Sequence, residues 1–213
     1  MSYRMKIVLL TKSVKHGAFC CAGINLYRDN NWFARIVKND DGDAVTNADI
    51  ANAESLDLIE VATTGNRPIK NQRENFPIDF NAVNPVKIIE RKTINYIKEL
   101  YDNNSFEHSD FFGNNMPYLT EAEASGIRYS LSAIRVVGLK VYTKPKSSGG
   151  DSYKVRFSYN GQIIDNVSMT DPDYYGKPNA KLSEAILIVS LPSEGFGEDN
   201  RFYKFVAKIF DLS

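Results

Sequence analysis

Long apolar runs are missing from this chain of 213 residues. No stretch approaches the ~18 consecutive apolar residues of a membrane-spanning helix, and the N-terminus lacks the apolar core of a secretion signal. We therefore expect a cytoplasmic protein without a membrane segment. At this length about 70% of the surface of the unfolded chain can be buried, so a full hydrophobic core is available without help from metals or disulfides.

Cysteine and histidine are also scarce, with two of each. Cys20 and Cys21 are sequence neighbours, which makes them poor candidates for a structural disulfide and too few for a zinc site. We expect both to be buried strand residues. His108 and Asp110 lack a third ligand nearby, and the aspartates within residues 40–43 lack the remaining ligands of a calcium loop. The sequence therefore predicts no metal and no other cofactor.

Enzyme signatures are absent as well, because the chain has no Walker loop, no dinucleotide glycine fingerprint and no Gly-x-Ser-x-Gly motif. Cys20 with His16 could mimic a thiol and its base, yet a buried strand would deny that thiol the exposure it needs. The formal net charge is zero, although residues 1–40 carry seven basic and two acidic side chains. A non-enzymatic binding role is therefore favoured, and a local basic patch stays open.

Tyrosine, phenylalanine and glycine are abundant instead, with 12, 12 and 13 residues, a composition typical of strands and turns. Residues 6–37 show two apolar runs joined by a basic loop, a turn at 29–31 and a strand starting at Trp32. Gly23 in the second run indicates a bulge or a close backbone approach. If Phe33 and Val37 face the core, Arg35 between them needs a charge partner or a place at the barrel rim.

The rest of the chain continues this pattern. We predict a helix at 93–101 with Thr93 as its N-cap, and a short helical turn after the capping box at 120–123. Residues 160–161, Asn-Gly, predict a tight hairpin whose layout resembles the earlier one, which suggests an internal duplication. Further strands are predicted at residues 56–63, 86–89, 131–142, 154–159, 162–169, 182–191 and 202–210. The last of these also fits helical spacing, and its aromatic and β-branched content favours a strand.

The residues of the opening meander suggest a family. The run from Lys6 to Ser13 resembles the opening of the bacterial dual OB-domain proteins. The resemblance continues at Lys15, Gly17, Cys20, residues 22–24, Trp32 and Arg35. The Thr-Asp-Pro segment at 170–172 and the closing segment at 202–210 are similar to that family too, so the resemblance covers nearly the whole chain. It implies two small OB-like barrels and a binding role.

We therefore predict a mainly β protein, β-rich with one or two short helices, that consists of two small OB-like β-barrels. Residues 102–117 are rich in Asn, Phe, Gly and Ser, which is typical of a connecting loop. The boundary placed there gives an N-terminal barrel of residues 1–105 and a C-terminal barrel of residues 106–213.

OB-like barrels hold single strands with aromatic stacking platforms and a track of cations. Both kinds of side chain surround the opening meander, and a basic loop follows at 66–77. The loop at 171–178 carries two tyrosines, and we expect it to cover the barrel, with base stacking as the alternative. The candidate ligand-binding residues are Lys12, Ser13, Lys15, Trp32, Arg35, Arg67 and Asp171. Simple packing is an equally open interpretation of Trp32.

The leading hypothesis is a binding module for single-stranded nucleic acid or a nucleotide. The alternative is an enzyme or sensor that acts on a small nucleotide-like ligand at the junction of the barrels through Lys12, Ser13, Arg35 and Asp171. A protein-interaction scaffold is the third possibility. Binding of a nucleic-acid polymer should weaken steeply with salt, and a site for a small ligand should be saturated by a mononucleotide. A protein-interaction scaffold should bind neither the polymer nor the mononucleotide. The oligomeric state stays open.

Overall fold

The computed structural model describes residues 3–15, 17–26, 31–103, 106–107, 110–146 and 149–213. Strands dominate these residues, and two short α-helices accompany them, which confirms the prediction of a mainly β protein. The chain divides into two compact units, Met1–His108 and Ser109–Ser213.

The first unit is a curved sheet. Its elements are β1 (Tyr3–Lys15), β2 (Ala18–Asn25), β3 (Asn31–Val37), β4 (Asp57–Thr63), β5 (Asn75–Pro77), β6 (Val86–Arg91), α1 (Ile94–Asp102) and β7 (Phe106–Glu107). The strand order is β5-β3-β2-β1-β4-β6, with β7 also beside β3, and the β3–β5 pair is parallel. After β5, the Asp79 N–H donates to the Ala62 carbonyl at 2.9 Å. Residues 77–79 therefore lie beside both β3 and β4, and β1 to β5 follow the order 1-2-3-5-4.

The opening strand is buried on both faces, as the apolar run predicts. Ile7, Val8, Leu9 and Leu10 are all fully buried. Opposite this run, a Cβ atom added to Gly23 would lie 2.1 Å from the Val8 carbonyl oxygen, and the β1–β2 register shifts nearby. The predicted close backbone approach at Gly23 is thus confirmed, and it explains why only glycine fits there.

The second unit is a closed five-stranded barrel. Its elements are β8 (Tyr118–Leu119), α2 (Glu121–Ser125), β9 (Leu131–Pro145), β10 (Asp151–Tyr159), β11 (Gln162–Met169), a 3₁₀ turn (Pro172–Tyr174), β12 (Lys181–Ser190), β13 (Phe202–Tyr203) and β14 (Phe205–Asp211). The ring of neighbours is β10-β11-β14-β12-β9, with β11 and β14 parallel. Counted within the unit, this is again the order 1-2-3-5-4, now closed onto the first strand, as in five-stranded Greek-key barrels.

The local signals of the sequence appear where they are expected. Asn160 and Gly161 have φ values of 49° and 76°, which suits the tight turn of the β10–β11 hairpin. Thr93 caps α1, and Thr120 forms a complete capping box with Glu123 at the start of α2. The segment at 202–210 is strand, interrupted once at Lys204 between β13 and β14.

The predicted turn at 29–31 lies outside the described residues except for Asn31, which already belongs to β3. In the described part of the chain, neither helix has the length and apolar character needed to cross a membrane.

Candidate functional site

The first group of predicted site residues lies at the end of β1. Lys12 is buried, its Nζ lies 2.5 Å from a Glu54 carboxylate oxygen, and it also lies 4.9 Å above the Phe19 ring centre. Ser13 is buried opposite Cys20. The backbone of Lys15 ends the strand, and its side chain falls outside the described residues. The charge of Lys12 is therefore compensated within its own unit.

Arg35 is also buried and paired. Its guanidinium lies 3.6 Å from a Glu74 carboxylate oxygen, and its backbone N–H donates to the Glu74 carbonyl at 2.8 Å. Glu74 is thus the charge partner that the sequence requires. Phe33 and Val37 are buried as the sequence predicts, and Ala34 and Ile36 on the other face of β3 are buried as well and belong to the core cluster.

The predicted residues of the first unit do not converge on one surface. The register places Lys12 opposite Cys21 and Arg35 opposite Ala22, so the two cations point to opposite faces of the sheet. Trp32 is half-buried at the start of β3. Arg67, in the loop between β4 and β5, is 47% exposed and lies 3.6 Å from Asp40.

Asp171 is fully buried in the second unit and fixes the loop that follows β11. Its carboxylate accepts hydrogen bonds from the Ile209 N–H at 2.8 Å and the Asp173 N–H at 3.1 Å, and it pairs with Lys208 Nζ at 3.4 Å. Burial raises the pKa of Asp171, while the Lys208 charge and the backbone hydrogen bonds oppose that rise. Tyr174 packs against the barrel core in the same loop. These contacts favour the covering role over an exposed ligand-binding role.

The thiol of Cys21 is not activated. Cys21 is buried as predicted, and burial raises its pKa to about 12. A thiol with that pKa stays protonated at neutral pH and is a poor nucleophile. The prediction that Cys20 is buried too was wrong, because Cys20 lies in the half-buried first part of β2. Among the described residues, no group of three or more His, Cys, Asp or Glu side chains could hold a metal ion. His16 and His108 lie outside the described residues.

A different charged surface appears on the second unit. Lys140 on β9 lies directly opposite Arg156 on β10 and directly opposite Lys181 on β12. Residues in direct register share one face, with Cβ atoms about 4.5–5.5 Å apart. The other members of this face follow at the alternate positions of β9 and β10. We call the five cations Lys140, Lys144, Lys154, Arg156 and Lys181 the basic face.

Four of these cations, all except Lys154, border a groove of about 380 Å³. Its lining consists of Lys140, Val141, Tyr142, Lys144, Arg156, Asp165, Asn179 and Lys181. The hydroxyl of Tyr142 donates to Asp165 at 2.6 Å, and Arg156 lies 3.7 Å from the same carboxylate. Although burial raises the pKa of Asp165, the Tyr142 and backbone hydrogen bonds and the nearby Arg156 charge lower it overall. A single ionised carboxylate therefore lies among the cations of the groove.

The positive charges on this face act on one another. Burial lowers the pKa of Lys154, and the charges of Lys144 and Lys146 lower it further. Within the described ranges, no carboxylate forms an ion pair with Lys140, Lys144 or Lys181. Like charges directly opposite one another on a sheet are destabilising, so this face is suited to an anionic ligand.

Sequence reasoning did not find the basic face, although a signal was present. Lys140, Tyr142 and Lys144 alternate along β9, and Lys154 and Arg156 alternate along β10, which is the spacing of one strand face. Lys140, Arg156 and Lys181 come into one row only through the pairing of three strands, and Lys140 and Lys181 are 41 residues apart in the sequence. The zero net charge of the chain gives no indication of this local excess of positive charge.

The strand order shared by the two units is consistent with a protein of two OB-type units. The family model described as the dual OB-containing domain matches residues 5–209, and the chain belongs to that family. A search of the curated proteins and a search of the solved structures both returned no match.

Proposed function

We propose that the chain binds single-stranded nucleic acid through the basic face of the second unit. The observation that supports this is the row Lys181, Lys140 and Arg156, in which three like charges stand directly opposite one another beside a groove. Like charges directly opposite one another cost stability in the free protein, and Asp165 offsets only the charge of Arg156. A phosphate backbone would remove that cost, because it supplies closely spaced negative charges.

One part of the basic face lies on the side of the barrel that agrees with this role. The second and third strands of OB barrels, together with the loop between the first and second, commonly hold oligonucleotides. In the second unit these strands are β10 and β11. The basic face has two cations on β10, two on β9 as far as Lys144, close to the connecting loop, and Lys181 on β12. Tyr142 adds a half-buried aromatic ring to the groove.

The test is fluorescence anisotropy of labelled single-stranded DNA and RNA over a range of salt concentrations. For single strands, the logarithm of the binding constant falls with the logarithm of salt by about 0.7 per phosphate neutralised. Lys140→Gln, Arg156→Gln and Lys181→Gln should each lower the magnitude of the slope by about 0.7, and the triple variant by about 2. The matched control is Lys87→Gln, which removes the same charge from an exposed position on β6.

Two outcomes would overturn the proposal. If Lys87→Gln weakens binding as much as Lys140→Gln, the affinity reflects overall charge and the basic face has no special role. If the wild type binds neither polymer at low salt and instead saturates with a mononucleotide, the ligand is a small nucleotide.

A further inference from the structure

The row of cations on the second unit ends beside a carboxylate. The barrel places Lys181, Lys140 and Arg156 opposite one another on β12, β9 and β10, and β11 is the next strand after β10. Asp165 lies on β11, with its Oδ2 3.7 Å from a terminal nitrogen of the Arg156 guanidinium. Neighbouring strands lie about 4.8 Å apart. The row therefore changes from positive to negative charge within the width of one strand.

Two hydrogen bonds hold the Asp165 carboxylate in place. The Tyr142 hydroxyl and the Asn166 N–H both donate to its Oδ1, each at 2.6 Å. Burial raises the pKa of Tyr142 to about 12, so the phenol keeps its proton and remains a donor at neutral pH. Hydrogen bonds to a carboxylate favour its ionised form. Asp165 is therefore a fixed negative charge, and its Oδ2 accepts no hydrogen bond from any residue that the structure describes.

A ligand on the basic face reaches both members of this ion pair. Both line the groove, and 48% of the Asp165 side chain and 50% of the Arg156 side chain are exposed. A guanidinium has several N–H groups in a fixed fork, and the contact with Asp165 at 3.7 Å involves one of its nitrogens. Arg156 can therefore donate to a phosphate while Asp165 stands beside that phosphate.

A fixed negative charge discriminates between polyanions by the spacing of their charges. Two like charges about 6 Å apart in water repel enough to weaken binding about three-fold. Inorganic polyphosphate joins its charged phosphorus centres through single oxygen atoms, so a phosphate bound at Arg156 brings charged neighbours close to Asp165. In a single-stranded nucleic acid, a sugar separates consecutive phosphates. Such a strand can bind Arg156 through one phosphate and present a neutral hydrogen-bond donor to Oδ2 of Asp165.

We propose that Asp165 makes the basic face selective for strands whose phosphates are separated by neutral groups and disfavours contiguous polyanions. This inference rests on the proposed function and adds to it the class of polyanion that the site accepts. Tyr142 is a positioning residue, because its hydroxyl holds the carboxylate beside Arg156. Selection then follows from the spacing of charge along the ligand.

The experiment measures two binding constants for the full chain. Labelled oligo-dT of about 15 residues, a length that covers the site of one OB unit, is titrated by fluorescence anisotropy, and polyphosphate with the same number of phosphates competes with it. Asp165→Asn removes the charge and keeps the shape, so it should strengthen polyphosphate binding at least about three-fold more than oligo-dT binding. Tyr142→Phe should shift the ratio of the two constants in the same direction by a smaller factor.

The matched control is Glu184→Gln. Glu184 on β12 also pairs with an arginine, Arg135 at 2.5 Å, and it is not among the described residues that line the groove. Its replacement removes the same charge from the same unit and should leave the ratio of the two binding constants unchanged.

The outcomes separate this inference from the proposed function. If Asp165→Asn strengthens the binding of both ligands by the same factor, or changes neither, the selectivity is overturned and the basic face stays intact. A Glu184→Gln variant that shifts the ratio as much as Asp165→Asn also overturns it, because the effect then reflects overall charge. If the wild type binds no oligo-dT at low salt, the proposed function itself fails, and this inference fails with it.

Discussion

Lys204 should make the stability of the second unit depend on pH. Its side chain is fully buried, with hydrogen bonds from Nζ to the Met116 carbonyl and to the Asn114 side chain. Burial lowers the pKa of Lys204 from an ordinary value of 10.5 to about 8, although the charges of Glu123 and Asp110 oppose this. Replacing Lys204 with methionine keeps the apolar stem and removes the titrating group.

The sign of the effect follows from proton binding. Between the folded pKa and the unfolded pKa, the unfolded chain holds the Lys204 proton and the folded chain does not. The free energy of unfolding therefore rises with pH across this window. Between about pH 7 and about pH 9.5, the difference between the folded and unfolded pKa of Lys204 increases the free energy of unfolding by about 2 kcal/mol.

Urea unfolding followed by circular dichroism measures this increase. Over the same pH interval, the free energy of unfolding of the wild type should increase by about 2 kcal/mol more than that of Lys204→Met. Lys87→Met, at an exposed lysine on β6, should keep the full pH dependence of the wild type. If wild type and Lys204→Met show the same pH profile, the buried ammonium group of Lys204 does not destabilise the folded state, and the proposed cause of the pH dependence is wrong.

Two further substitutions test the first unit. Gly23→Ala would place a methyl group 2.1 Å from the Val8 carbonyl oxygen, so we expect a loss of about 1–3 kcal/mol or more in urea unfolding. Gly113→Ala meets no atom within 4 Å and serves as the control, and an equal loss there would contradict the argument. Arg35→Met removes the ion pair between Arg35 and the buried carboxylate of Glu74 and should cost up to about 3–5 kcal/mol, as measured by the urea midpoint. Normal stability with weakened nucleic-acid binding would instead support a ligand contact by Arg35.

Much of the fold was predictable because its signals are local. The apolar run at Ile7, the Asn160-Gly161 turn and the caps at Thr93 and Thr120 each depend on a few neighbouring residues, and the structure has all of them. The closing segment was ambiguous, because the spacing of the aromatic and aliphatic residues at 202–210 fits both a helix and a strand. The structure makes it strand on both sides of Lys204, where burial and strand pairing decide between the two.

The candidate site was harder to predict because ion pairing is not local. Lys12 and Arg35 are cations on strands of the opening meander, and the sequence alone cannot show that Glu54 and Glu74 reach them. Those acids lie in connections whose course depends on the whole unit. The cations of the basic face are likewise distant in sequence, so their alignment exists only once the barrel register is formed.

The two units share a strand order, but the predicted cations Lys12 and Arg35 of the first unit are buried in ion pairs, whereas the row of cations on the second unit is exposed. In the first unit, buried cations on β1 and β3 have glutamate partners, and removing Glu54 would leave the buried charge of Lys12 without that partner. In the second unit, the cations of the row at Lys140 are exposed in direct register. Substitutions in the first pairs should therefore reduce stability, whereas Lys140→Gln should leave stability equal or raise it by a few tenths of a kcal/mol at low salt. A destabilised Lys140→Gln variant would show that the row is structural, and the binding role proposed for it would then lose its physical basis.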